Sequence, residues 1–137
     1  MTKILVFGVF DGFHEGHKFF LREAKKLGDF LIVAVTPNEV VELIKKRSPN
    51  FKISERIKKI QESDLADEVI AGDKSLGGWE VLKKTNPAVI AIGYDQNDLS
   101  ASLRNYIKSE NLAIELKSIP PFEEKKYKSS LINPPSR

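Results

Sequence analysis

Short apolar runs recur along this chain, each followed by a helix-length stretch of mixed polarity, and that rhythm leaves few folds open. The runs are Ile4-Leu5-Val6-Phe7, Phe30-Leu31-Ile32-Val33-Ala34-Val35, Glu68-Val69-Ile70-Ala71, Ala88-Val89-Ile90-Ala91-Ile92 and a weaker one over residues 113–119. A strand without polar alternation has both faces buried, as inside a parallel sheet. Parallel strands need long crossovers, and the intervening segments have the length of helices. The predicted class is α/β, with a single doubly wound open parallel sheet of about five strands and helices on both faces. The first run, which ends in Gly8, is the predicted central strand.

The intervening segments carry helix signals. Residues 16–27 place Phe20, Ala24 and Leu27 at helical spacing, with Gly28 where a left-handed C-terminal cap belongs. Thr36-Pro37-Asn38-Glu39 reads as an N-cap, a proline at the first helical position and a capping-box acid, for a helix reaching about Ile44. Ser54 is the predicted cap of the next helix, Gly77-Gly78 opens another that ends near Asn86-Pro87, and residues 99–110 form the last. Pro120-Pro121 then breaks the pattern. Residues 1–120 are thus expected to form one Rossmann-like domain, and the polar residues 121–137 a C-terminal segment, partly disordered unless a ligand or partner orders it.

Composition narrows the function. At 137 residues, 41% hydrophobic and 30% charged, the chain has the make-up of a single soluble globular domain. With no cysteine, disulfides, zinc thiolates and thiol nucleophiles are excluded. No apolar stretch approaches a bilayer span and none forms a signal peptide, so the expected location is the cytoplasm, with no membrane partner. A net charge of +3, with lysines spread among nineteen acids, supplies no contiguous basic stripe for nucleic acid. Basic loops around a small polyanion account for it.

In an open α/β sheet, ligands bind beyond the carboxyl ends of the strands where strand order reverses. The turn after the first strand reads Gly8-Val9-Phe10-Asp11-Gly12-Phe13-His14-Glu15-Gly16-His17 and holds both histidines of the chain. Two histidines three residues apart at a helix start can bring two imidazoles to one anion, to which the helix adds free amides and the positive end of its dipole. Gly16 lets the backbone approach closely. Incidental surface or capping histidines are the plain alternative. A zinc site would need carboxylates to complete its shell, and no residue is set aside as a resident metal ligand.

The ten residues of this turn resemble the GxFDxxHxGH signature of the cytidylyltransferase-like nucleotidyltransferase superfamily. The resemblance extends through Leu27-Gly28-Asp29, Ser54-Glu55-Arg56, Asp67-Glu68-Val69 and Gly93-Tyr94-Asp95-Gln96. It implies that His14 and His17 contact a nucleoside triphosphate, with Gly8, Val9, Phe10, Asp11 and Gly16 shaping its site. Asp11 is open between a loop-shaping and a metal role. The basic loop Lys45-Lys46-Arg47 falls where the family carries phosphate-clamping lysines; Lys46 is the favoured catalytic candidate, with Lys45 beside it as a clamp. Arg56 resembles an acceptor-side or dimer-side arginine. Gly93, Tyr94 and Asp95 would meet the base and ribose. Ser129 and Ser130, in Lys128-Ser129-Ser130-Leu131-Ile132-Asn133, resemble a degenerate form of the family's serine-rich phosphate-binding segment, lacking the basic character often found there.

The implied activity is transfer of AMP or CMP from ATP or CTP, with Mg2+, to a phosphorylated small molecule, releasing pyrophosphate. Electrostatic stabilisation rather than a strong base would carry it, because the acceptor phosphate is already ionised. The Gly-Tyr-Asp-Gln turn is most similar to that of the small archaeal-type FAD synthase branch, with a glycerol-3-phosphate cytidylyltransferase as the alternative. A homodimer is the family's common assembly. A catalytically silent nucleotide-binding module is the reading from another class, motivated by the degenerate serine segment.

Overall fold

A computed structural model describes residues 1–75 and 77–122. The predicted alternation is present: β1 (Lys3–Gly8), α1 (Glu15–Lys25), β2 (Phe30–Val35), α2 (Asn38–Lys45), α3 (Ile53–Ser63), β3 (Glu68–Ala71), α4 (Glu80–Thr85), β4 (Val89–Gly93), α5 (Asn97–Ser109) and β5 (Glu115–Ile119). The five strands are all parallel, in the order β3-β2-β1-β4-β5. β1 is therefore central, and Ile4, Leu5 and Val6 are wholly buried. Each such side chain contributes roughly 1.5–3 kcal/mol by leaving water.

Alternate residues of the strands feed two cores. Ile4, Val6, Leu31 and Val33 pack with Leu21 and Ala24 of α1 and Ile60 of α3. Leu5, Ile32, Ala34 and Ile90 pack on the opposite face with Val81 and Leu82 of α4 and Leu103 of α5. The chain builds outward from β1 to β3, then steps back across β1 to β4 and β5. Crossovers of one hand then put their helices on opposite faces in the two halves, which makes the sheet doubly wound.

Several boundaries differ from expectation. The caps of α2 and α3 are Pro37 and Lys52, neither with a side-chain capping bond. Thr36 instead spends its hydroxyl and its amide on the Gly8 carbonyl, tying β2 to the end of β1, and Ser54 lies inside the first turn of α3. α4 starts at Glu80, after Trp79, rather than at the glycine pair. Helix α1 ends on Lys26 in right-handed conformation, and Gly28 is not left-handed. Gly28 is a close-packing glycine: a Cβ there would stand 2.7 Å from the Thr2 carbonyl oxygen.

Candidate active site

β1 and β4 are paired only from Ile4 and Val89 to Val6 and Ala91. Beyond that, β1 continues with β2 as far as Gly8 and Val35, while β4 continues with β5 as far as Gly93 and Ile119. The two central strands therefore part at their carboxyl ends, at the point where strand order reverses. A crevice of about 800 Å³ opens there. Its walls are the β1–α1 turn, the Gly93-Tyr94-Asp95-Gln96 turn, Lys45 and Arg47 beyond α2, and an apolar side made by Phe19, Phe20, Ile119, Pro120, Pro121 and Phe122.

His14 and His17 both line this crevice and lock each other in place. His14 caps α1 by accepting the Gly16 amide on Nδ1 at 3.1 Å, and the His14 amide donates to Nδ1 of His17 at 3.2 Å. This is a capping box built from imidazoles. Because both Nδ1 atoms accept, the neutral rings carry their protons on Nε2, which has no partner among the described residues. The rings stack 3.7 Å apart, and Phe13 and Phe10 pack against His17. Burial, and next the neighbouring His14, push the His17 pKa down to about 4, against the pull of Asp95 and Asp11. At neutral pH His17 is thus an uncharged donor. Capping and ligand-facing readings of these histidines are not exclusive, since the capping bonds are what orient the rings.

Local backbone serves this arrangement. Gly16 is required by contact: a Cβ would lie 3.0 Å from Cε1 and 3.2 Å from Nδ1 of His14. Phe10 adopts a left-handed φ of 52°, costly for a bulky residue, and its buried ring crosses Gly8, where a Cβ would come within 2.7 Å of Cζ.

Asp11 and Arg56 form a latch. The two carboxylate oxygens of Asp11 accept the amides of Asn50 (2.8 Å) and Phe51 (2.9 Å). Arg56, only 1% exposed, donates Nε to the Phe51 carbonyl (2.9 Å), Nη1 to the carbonyls of Val9 and Thr36 (both 2.8 Å) and Nη2 to Oδ1 of Asn38 (2.7 Å). Burial pulls its pKa down while Asp11 supports the charge. Residue 51 is thus gripped at both its amide and its carbonyl, and the segment carrying Arg47 is anchored to the turn that holds the histidines. Of the two roles open for Asp11, this geometry supplies the loop-shaping one.

The other expected site residues divide by position. Gly8, Val9, Phe10, Asp11, Gly16, Gly93, Tyr94, Asp95 and Lys45 border the crevice. Lys46 does not: it ends α2 in left-handed conformation and lines a second hollow with Glu42, Leu43, Arg47 and Ser48. The cation that joins Lys45 at the crevice is Arg47, because the left-handed turn at residue 46 reverses the chain. Arg56 is not among the residues that line the crevice, and four of its five N–H donors go to the protein's own oxygens. Ser129, Ser130 and the rest of the degenerate serine segment lie outside the described residues. Sequence reasoning missed Gln96 and the apolar wall. Gln96 stood in the quoted turn but was valued only as part of it, and Phe19 and Phe20 read as ordinary helix-face residues.

Residues 5–133 match the family model described as Cytidylyltransferase-like. The FAD synthase of Thermococcus sibiricus is 37% identical over 118 residues, 86% of this chain and 80% of that protein. The FAD synthase of Pyrococcus abyssi is 36% identical over 131 residues, 95% and 88% of the two chains. Among solved structures, the lipopolysaccharide core biosynthesis protein of Thermoplasma volcanium superposes with a TM-score of 0.81 at 29% identity, covering 90% of this chain and 99% of that one. Pantothenate synthetase of Thermus thermophilus, at 13% identity and a TM-score of 0.64 over 91% of this chain and 58% of that one, shares the fold alone. A family match that takes in every strand and the histidine turn at the strand-order switch leads to one conclusion: this chain belongs to the cytidylyltransferase-like family.

Proposed function

We propose that the protein is an FMN adenylyltransferase, joining AMP from ATP to the phosphate of FMN to give FAD and pyrophosphate. The observation that carries this reading is the locked His14–His17 pair, with Nε2 positions that have no partner among the described residues, in the crevice of a chain whose relatives include several archaeal FAD synthases.

The mechanism follows from what these residues can do. An FMN phosphate oxygen attacks the α-phosphorus of ATP, the bond from that phosphorus to the bridging oxygen breaks, and pyrophosphate departs with the electron pair. The attacking oxygen is already ionised, so no base is needed. The Nε2–H groups of His14 and His17 donate to α- and β-phosphate oxygens, where negative charge accumulates in the transition state. Free amides at the start of α1 and its dipole act in the same direction. Lys45 and Arg47 hold the polyphosphate or the FMN phosphate from the other side of the crevice. Magnesium enters as part of the nucleotide substrate, its first ligands being phosphate oxygens. The apolar wall and Tyr94 give flat rings a surface to lie on, which suits a reaction whose two substrates both carry one.

The test is pyrophosphate release by the pure protein with magnesium, ATP or CTP, and FMN, glycerol 3-phosphate or phosphopantetheine as acceptor. ATP with FMN is the expected productive pair. A different pair would overturn the FMN assignment, and nucleotide binding without turnover on any pair would favour a silent binding module. Replacing His17 with Ala abolishes turnover in this scheme while the fold persists; an unchanged rate would sink the assigned site.

A further inference from the structure

The parting of β1 and β4 leaves main-chain groups at the floor of the crevice that no ladder bond can serve. Beyond Val6 and Ala91, Phe7 has no paired residue in β4 and Gly93 none in β1. Left alone, such edges either take water or zip together. The side chain of Gln96 occupies this gap: its Nε2 donates to the Phe7 carbonyl at 2.9 Å, and its Oε1 accepts the Gly93 amide at 2.8 Å. One carboxamide thus bonds to both sides of the split, replacing by a longer bridge the direct pairing that ends at Val6 and Ala91.

We propose that Gln96 is a positioning residue that sets the width of the nucleotide crevice. The two walls it spans carry different parts of the site. Phe7 leads directly into the turn that ends in His14 and His17, and Gly93 leads into Tyr94 and Asp95. A nucleotide reaching from the histidine turn to the Tyr94 turn must fit the distance between them, and Gln96 fixes that distance without being required to touch the ligand. Glutamine suits the task because a carboxamide offers one donor end and one acceptor end. A carboxylate cannot donate to the Phe7 carbonyl, and an apolar side chain bonds neither side. The inference rests on the adenylyltransferase reading for which ligand fills the crevice, while its geometry stands apart from the choice of acceptor.

The test is Gln96→Met, which keeps the length of the side chain and removes both bonds. The expected result is at least about a tenfold rise in the Kd for ATP with magnesium by calorimetric titration, the scale of one misaligned polar contact to a charged group. The KM for ATP should rise by a similar factor, with the KM for FMN within about twofold of the parent's and the folded fraction by circular dichroism unchanged. An ATP affinity within twofold of the parent's in a folded variant overturns the proposal, as does a loss that follows only the folded fraction. Should Gln96→Met fail to fold, Gln96→Glu decides: its carboxylate still accepts the Gly93 amide but cannot donate to the Phe7 carbonyl, so its Kd for ATP at about pH 8 should rise severalfold, and an affinity equal to the parent's overturns the proposal. A parent that binds ATP but does not turn over FMN sinks the acceptor assignment alone. A parent that binds neither ATP nor CTP sinks both readings.

Discussion

Replacing Arg56 with Met tests the latch beneath the crevice. Methionine fills much of the space of the arginine stem but donates nothing, so the Val9, Thr36 and Phe51 carbonyls and the Asn38 side chain lose four hydrogen bonds to a cation. Bonds to charged groups contribute about 1.5–3 kcal/mol each, and a simple sum over four would run to about 6–12 kcal/mol. That sum is too large for two reasons. Phe51 is 42% exposed and its carbonyl can be rehydrated, and removing a buried guanidinium also removes the cost of having desolvated it. What remains is the desolvation of buried carbonyls with no donor, together about 4 kcal/mol, in line with the loss seen when one partner of a buried charged arrangement is deleted. For a chain of 137 residues that corresponds to roughly 12 °C in melting midpoint. Urea unfolding followed by circular dichroism measures it, and the midpoint should fall with little change in slope. Arg56→Lys should recover only part of the loss, since one ammonium cannot reach a set of acceptors arranged for a planar fork. A loss below about 1 kcal/mol for Arg56→Met, or full stability in Arg56→Lys, would refute the reasoning.

Three further expectations follow from the site. Because the folded-state pKa of His17 lies near 4, below the ordinary histidine value of about 6.5, the unfolded chain binds a proton in that interval that the folded chain does not. Stability should therefore fall as pH drops from about 6.5 to 4, by at most about 3 kcal/mol, and level off below; Gln at position 17 should flatten this limb, measured by urea unfolding across pH. Ala at position 16 gains helix propensity yet crowds the His14 ring, so turnover should fall at least tenfold with unfolding stability preserved or raised, and a fully active Gly16→Ala would contradict the contact geometry. Ala at position 45 or 47 should raise the KM for ATP or FMN severalfold and weaken its salt dependence, whereas Lys46→Ala should be nearly silent; equal effects at all three would contradict a crevice that Lys45 and Arg47 line and Lys46 does not.

Unbroken apolar runs such as Ile4-Leu5-Val6-Phe7 announced a buried parallel sheet because their burial depends on side-chain chemistry repeated along a single element. The same locality exposed the histidine turn: His14, Gly16 and His17 make their capping bonds to one another within four residues, so their pattern was visible before any folding. Arg56 was misplaced for the opposite reason. Its acceptors belong to residues 9, 36, 38 and 51, and nothing local to α3 distinguishes a buried cross-loop donor from a solvent-facing arginine.

Lys46 and Arg47 exchanged places because one left-handed residue redirects the chain, and an ordinary lysine gives no sign that it adopts that conformation. Gln96 gained its bridging position only when β1 and β4, more than eighty residues apart in the chain, parted at the same height. Legible in the chain alone were therefore the kind of elements, the class of sheet and the histidine turn that lines the crevice, all set by interactions between near neighbours. Which cations face the crevice, which charge is buried to hold it, and how wide it stands were decided by tertiary structure, because each depends on backbone groups that folding alone brings together.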